Sequence, residues 1–282
     1  RFFSVIILSI MKNFLPDTFN YLRPIKMEVM RIGNDKDGGY IFPKNEFKNI
    51  DLIISLGMGS ESENWSFEQE YLKKNKNTNV IFYDHTVSIK NYMISIFRIV
   101  RRLIKMRYKF KDLINILGHF FHYLILMCDS KIFHIKKKIC KQSNHINEIN
   151  IKEIFNKTLS NKVLLKVDIE GTEYEIIDQI INFSDKIVSL IIEFHHIDKF
   201  ESSFQEKIMK LKTKFEIIHI HGNNNTGVLD SNMPKTLELT LVNKANYKGV
   251  KDDFIYDFPI EGIDFPNNPN FKDIYFSFKR PD

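Results

Sequence analysis

Cysteine is almost missing from this 282-residue chain, which has only Cys128 and Cys140. The two match neither a zinc spacing nor a disulfide framework, so a metal knuckle and a stapled secreted mini-domain are excluded, and a reducing, cytoplasmic setting is expected. Glycine (11) and proline (8) are scarce as well, which excludes collagen-like and Gly/Pro-rich disordered chains. No apolar run reaches the roughly 20 residues that span a bilayer. The nearest are RFFSVIILSI at 1–10 and LINILGHFFHYLILM at 113–127. No small-residue cleavage site follows the first, so a secretory signal is not expected, and Met11 is a candidate natural start. Two phosphate-binding signatures are also absent: G-x-x-x-x-G-K-[ST], and the third glycine of the dinucleotide fingerprint.

What is present is a core and a pattern. Hydrophobic residues make up 43% of the chain and aromatics 13%, enough for one large α/β domain. Apolar strand-like runs occur at 51–56, 79–85, 162–169, 187–196, 215–225 and 235–244, and 131–139 reads as another. Helical patterns lie between them at 66–75, 149–159, 172–183 and 204–215. Alternation of this kind calls for a mostly parallel sheet with helices on both faces. Asp37-Gly38-Gly39 is a turn signal between short apolar runs.

The strand runs end in chemistry-bearing residues. In open α/β sheets, ligands sit beyond the carboxyl ends of the strands, where strand order reverses. DLIISL ends in Gly57-Met58-Gly59-Ser60-Glu61, a turn that lets backbone approach a ligand. NVIFY ends at Asp84, placed to accept hydrogen bonds from both hydroxyls of a ribose. VLLKV ends at Asp168 and Glu170, with the following turn expected to redirect Glu170, and LIIEF contributes Glu193, His195 and His196. His219 and His221 end a further strand. With no signal for phosphates, the pattern favours a nucleoside cofactor without them. His195 or His221 can accept a proton near neutral pH or orient a hydroxyl. A divalent ion held with Asp168 is the alternative, but no compact ligand spacing supports it, so no metal is expected. Hydrogen-bonded strand-end histidines are the plainer reading, preferred for His219. Asn223 and Asn224 suit sugar hydroxyls, or simply a polar turn.

Positive charge is concentrated. The chain carries a net +6, but residues 87–141 hold thirteen Lys or Arg against two acids, a local +11, and the remainder is −5. Within 89–127 the apolar residues fall three or four apart, which predicts a helical insertion. Its basic face is a solvated lid surface, a contact for anionic lipid, or a field that guides an anionic acceptor. Its apolar stretch packs on the core or on a second subunit.

Taken together, RIGNDKDGGY, ISLGMGSESENWSFE, FYDHT, LLKVDIEGTEYEII, LIIEFHH and HIHGNN resemble the FkbM-type branch of class I S-adenosylmethionine-dependent methyltransferases. The resemblance runs from about Arg31 to Asn243, and LLKVDIEGTEYEII is its most specific part. It implies a Rossmann-like, mostly parallel seven-stranded sheet, S-adenosyl-L-methionine as cofactor, and methyl transfer, usually to oxygen. It implies that Gly57 and Gly59 flank the methionine part of the cofactor with Ser60 and Glu61 beside them, and that Asp84 binds the ribose. Asp168 would lie near the cofactor amine or the acceptor, and Asp37, Gly38, Gly39 and Tyr40 would close over the cofactor. Residues 1–30 would be an N-terminal extension and 31–282 the methyltransferase domain, with a basic insertion at about 87–130. One departure is Ser55, where such motifs often carry an acid; Asp37 or Glu61 is then left to compensate. The insertion lies outside the minimal fold, so the acceptor does not carry over.

The leading expectation is O-methylation of a sugar or glycoconjugate hydroxyl, by family habit in surface polysaccharide synthesis. The partners expected are that small-molecule or glycan acceptor, a peripheral contact with the inner membrane, and a second copy of the chain. Nucleic acid is not expected: the fourth strand ends in DIEG, not in the [DN]PP[YF] of base-amino methylases, and no aromatic-basic RNA module is visible. A nucleic-acid methyltransferase and a non-catalytic scaffold at the membrane are the competing readings.

Overall fold

The computed structural model describes residues 13–105, 109–247 and 253–280. Seven strands form the central sheet: β1 Leu52–Leu56, β2 Asn79–Tyr83, β3 Ile132–Ile135, β4 Val163–Val167, β5 Ile187–Phe194, β6 Phe215–Gly222 and β7 Leu237–Asn243. Their spatial order is β6-β7-β5-β4-β1-β2-β3. All neighbours are parallel except β7, which runs antiparallel to both β5 and β6. Strand order reverses between β1 and β4, so a crevice opens beyond their carboxyl ends. This is the Rossmann-like, mostly parallel sheet that the strand runs imply.

The helices are α1 Ser66–Lys74, α2 Ile89–Ile104, α3 Phe110–Leu126, α4 Ile151–Lys157, α5 Glu173–Asn182 and α6 Ile197–Leu211. Two apolar cores lie on the two faces of the sheet. Ile54, Leu56, Leu165 and Val167 face one, with α4, α5 and α6; Ile53, Val80, Phe82 and Leu164 face the other, with α1, α2 and α3. Strands buried on both faces read as unbroken apolar runs, which is why the sequence located them well. Ser55 and Lys166 interrupt the runs, and they are register partners on β1 and β4.

Several boundaries differ from expectation. The turn at Asp37-Gly38-Gly39 joins two short antiparallel strands, Val29–Ile32 and Tyr40–Pro43. A domain boundary at residue 30 would cut the first of them. Leu15, Phe19 and Leu22 are buried in the core beside α6. The expected features of residues 1–10 and Met11 lie outside the described residues. The run at 131–139 divides into β3 and a two-residue strand, Lys138–Ile139, paired with Glu148–Ile149. Ser66 is the first helical residue of α1, and its hydroxyl donates to the Gly38 carbonyl (2.8 Å). The helical insertion is present as α2 and α3.

Candidate functional site

Four loops converge beyond the strand ends on a cleft of about 340 Å³, within the range of small-molecule sites. Gly57, Gly59, Ser60 and Asn64 enter from β1, Tyr83 to Thr86 from β2, Lys137 to Ile139 from the segment after β3, and Asp168 to Glu170 with Thr172 from β4. Gly57 has φ +85°, and a Cβ there would lie 1.7 Å from the Asp168 carbonyl oxygen. Only glycine lets the two loops approach so closely.

Asp84 organises the glycine turn. Its Oδ2 accepts from Met58 N (2.8 Å) and Gly59 N (3.2 Å), and its Oδ1 accepts from the Thr86 amide and hydroxyl (both 2.6 Å). Burial alone would raise its pKa; the Thr86 hydroxyl and the backbone donors outweigh that and hold it below the usual carboxylate range. The carboxylate thus sits on amides that would otherwise cradle a phosphate, and its negative charge repels one. All four of its lone-pair sites are in use, so a further donor could reach Asp84 only by displacing one of these.

The acid missing at Ser55 comes from a helix. Glu68 of α1, fully buried, accepts from the Ser55 hydroxyl (2.7 Å) and pairs with Lys166 Nζ (3.1 Å). Lys166 also lies over the ring of Tyr40, 4.7 Å from its centroid. Neither Asp37 nor Glu61 takes this place.

Behind the cleft, His195 joins the ends of β4 and β5. Its Nδ1 lies 2.8 Å from Glu173 Oε1, while Nε2 faces Glu170 Oε2 (3.5 Å), Asp168 Oδ1 (3.8 Å) and Glu193 Oε1 (3.9 Å). Burial opposes the imidazolium, but the Glu173 bond and the charges of Glu193, Glu173 and Asp168 hold its pKa up at about 10. Asp168 is shifted upward as well. Burial pushes its carboxyl up to about 6, against the pull of His195 and Lys166, a value suited to accepting a proton near neutrality. Burial, then the charges of Asp168 and Glu238, raise Glu193 well above its ordinary range.

Other expected residues lie elsewhere. Asp37, Gly38, Gly39, Tyr40 and Glu61 do not line the cleft. The Gly38 carbonyl accepts from Phe67 N (3.1 Å) and the Ser66 hydroxyl, so this turn clamps the start of α1 instead of closing over a ligand. Asp37 binds the Gly38 amide (2.8 Å), and burial raises its pKa. His221 is buried on β6 between Glu238 (3.5 Å) and Asp273 (3.2 Å), away from the cleft lining. It is held in a core ion-pair network. His219 pairs with Asp264 at 3.0 Å, in line with the plain reading. Asn223 donates to Glu193 (2.8 Å) and Asn224 to the Asn268 carbonyl (2.9 Å); both are structural. Glu170, at φ 56°, lines the cleft, and its Oε2 lies 3.5 Å from His195 Nε2. Sequence reasoning missed Thr86, Glu173, Lys137 and Lys138, although the Lys136–Lys138 run was a signal for the last two.

The insertion grips this site. Tyr92 of α2 donates to the Ser60 carbonyl (2.7 Å), and Ser62 N donates to His119 Nδ1 of α3 (3.1 Å). Tyr123 of α3 meets His134 Nδ1 (2.9 Å), whose Nε2 meets the Asp84 carbonyl (2.9 Å).

No protein-family model matches the chain, and no curated protein matches its sequence. Solved structures give slight likenesses. Precorrin-6y C5,15-methyltransferase from Geobacter metallireducens GS-15 is 11% identical over 71% of this chain and 87% of that one, with a TM-score of 0.36. A dimethyladenosine transferase from Plasmodium falciparum is 8% identical over 81% and 60%, with a TM-score of 0.36. Mitomycin 7-O-methyltransferase MmcR is 9% identical over 70% and 50%, with a TM-score of 0.28. Overlaps this slight carry no weight for the chemistry, which rests on the cleft.

Proposed function

We propose that this chain is an S-adenosylmethionine-dependent methyltransferase that methylates a hydroxyl of a sugar or glycoconjugate. The observation that carries the reading is the Asp84 carboxylate on the Met58 and Gly59 amides. A glycine turn at the switch point that is capped by an acid suits a nucleoside cofactor lacking phosphates and disfavours a dinucleotide. The residues present fit that cofactor: Gly57 and Gly59 form the tight turn that lines the cleft, Asp84 and Thr86 offer hydrogen bonds to its ribose, and Asp168 lies across the cleft. When bound, it supplies an electrophilic methyl group on a sulfonium. Asp168 then takes the proton that the acceptor hydroxyl loses, and Lys137 and Lys138 attract an acceptor that carries negative charge.

The basic insertion seats the cleft on an anionic membrane surface. No helix among the described residues is long and apolar enough to cross a membrane, but α2 exposes a stripe of large apolar side chains. Two copies facing each other through this +11 segment would repel, whereas anionic lipid complements it.

Calorimetry of S-adenosylmethionine and S-adenosylhomocysteine tests the cofactor reading. Micromolar binding is expected for the wild type, with at least tenfold loss in Asp84→Ala and a smaller loss in Thr86→Val. A folded wild type that binds neither compound sinks the reading and leaves the scaffold alternative. Binding followed by methylation of nucleic acid, but of no glycan, would favour the other alternative.

A further inference from the structure

We propose that Asp168, Glu193 and His195 form a binding site for one divalent cation of the Mg²⁺/Mn²⁺ class in the wall of the cleft. Their donor atoms all lie within 4.8 Å of one another. Two donors bound to one cation at about 2.1–2.3 Å, at angles of 90–120°, stand roughly 3–4 Å apart. The distances from His195 Nε2 to Asp168 Oδ1 and Glu193 Oε1, 3.8 and 3.9 Å, fall within that span and are too long for hydrogen bonds.

The side chains are also held as ligands are held. Among the described residues, the approach of Glu170 Oε2 to His195 Nε2, at 3.5 Å, is longer than a good hydrogen bond, although His195 is only 9% exposed. Its Nδ1 is fixed by Glu173 Oε1, which also accepts from Ile169 N (3.3 Å), the carboxylate–imidazole arrangement that aims the opposite nitrogen at a metal. Glu173 Oε2 is buried with no partner. Asn223 donates to Glu193 Oε1 (2.8 Å), the oxygen that faces His195, and so fixes its position. Four carboxylates (Asp168, Glu170, Glu173 and Glu193) face the His195 imidazole, and Lys166 is paired with Glu68. Asp168 lines the cleft, so the open positions of an ion would face the ligand side.

This inference replaces the sequence expectation of no metal. That expectation looked for compact spacing, whereas these ligands come from two separate strand ends. Carboxylate oxygens with one imidazole suit magnesium or manganese better than a thiolate-seeking ion. The site stands on its own geometry; its role in the reaction rests on the methyltransferase reading. There the ion would take adjacent hydroxyl oxygens of an acceptor as further ligands, and so select a diol over an isolated hydroxyl.

The test uses full-length protein stripped with chelator and titrated with Mn²⁺, followed by calorimetry and by the electron spin resonance of the bound ion. One Mn²⁺ per chain is expected, with a nitrogen coupling from His195. Affinity should fall at least tenfold in Glu193→Gln and in His195→Ala, which also loses the nitrogen coupling. As a positioning residue, Glu173→Gln should weaken binding 10–100-fold. The exposed Glu206→Gln should change nothing. No stoichiometric binding to folded wild type, or bound Mn²⁺ without a nitrogen coupling, would overturn the proposal even if the variants misfold. Cofactor binding is measured separately on metal-free protein, so either reading can fail alone.

Discussion

At the scale of single residues, the acids and bases of this chain divide by where the sheet places them. His195 and His221 both end strands in the sequence, yet one meets the cleft wall and the other an interior row. Register decides this: His221 lies opposite Glu238, and Glu238 lies opposite Glu193. Burial opposes the charge on His221, but the bonds to Asp273 and Glu238 and the nearby Asp264 raise its pKa from 6.5 to about 10. A raised histidine stabilises the fold fully below its unfolded pKa and loses that contribution as pH rises through the folded one. Stability should therefore fall between about pH 6.5 and 10, by a few kcal/mol in order of magnitude. Denaturant titrations across that window should show a shallower fall in His221→Asn, with His195 keeping the rest of the slope; an unchanged slope would refute the assignment. None of this could be read in advance, because the partner acids are distant in sequence. Ser55 teaches the same lesson. The sequence marked the missing acid, but Glu68 reads there as an ordinary early-turn acid, favoured by the helix dipole.

Among the elements, α2 behaves as its periodicity implies, and the structure adds which faces are free. Ile89, Met93, Phe97, Val100 and Ile104 lie within about 80° of arc at 100° per residue, and they are 49, 53, 69, 37 and 81% exposed. Tyr92 on the neighbouring arc is buried against Phe120 and Tyr123 of α3. Arg98, Arg101 and Lys105 occupy the remaining side and are exposed. An apolar stripe flanked by cations, on a helix already packed through its third face, matches a membrane-surface helix. Co-sedimentation with vesicles containing anionic lipid should bind the wild type and not Phe97→Asp/Ile104→Asp. Arg98→Glu/Arg101→Glu should weaken binding and flatten its salt dependence. Equal binding to neutral vesicles, or none to anionic ones, would count against the lipid reading. The elements were legible where one period dominated: the strands buried on both faces and the long amphipathic helices. They were not legible where a run served two purposes. Residues 131–139 look like one strand, but only 132–135 join the sheet, and the next residues turn to line the cleft.

For the whole molecule, the decisive feature is the position of β7. It comes last among the sheet strands in sequence, yet it lies between β5 and β6 and pairs with both. Until it arrives, β5 and β6 are both bare edges, which invite pairing with other chains. A chain ended after Thr236 should therefore fail to give a cooperatively unfolding monomer, judged by size exclusion and thermal unfolding. A monomer with the full-length transition would show that β7 is dispensable. The row that links Glu193, Glu238 and His221 forms in the same event, since β7 supplies its middle member. Synthesis and architecture are thus out of step: the ribosome must release everything through Asn243 before the sheet can close. Until then, the half-built fold has to be shielded from its neighbours rather than relied on to protect itself.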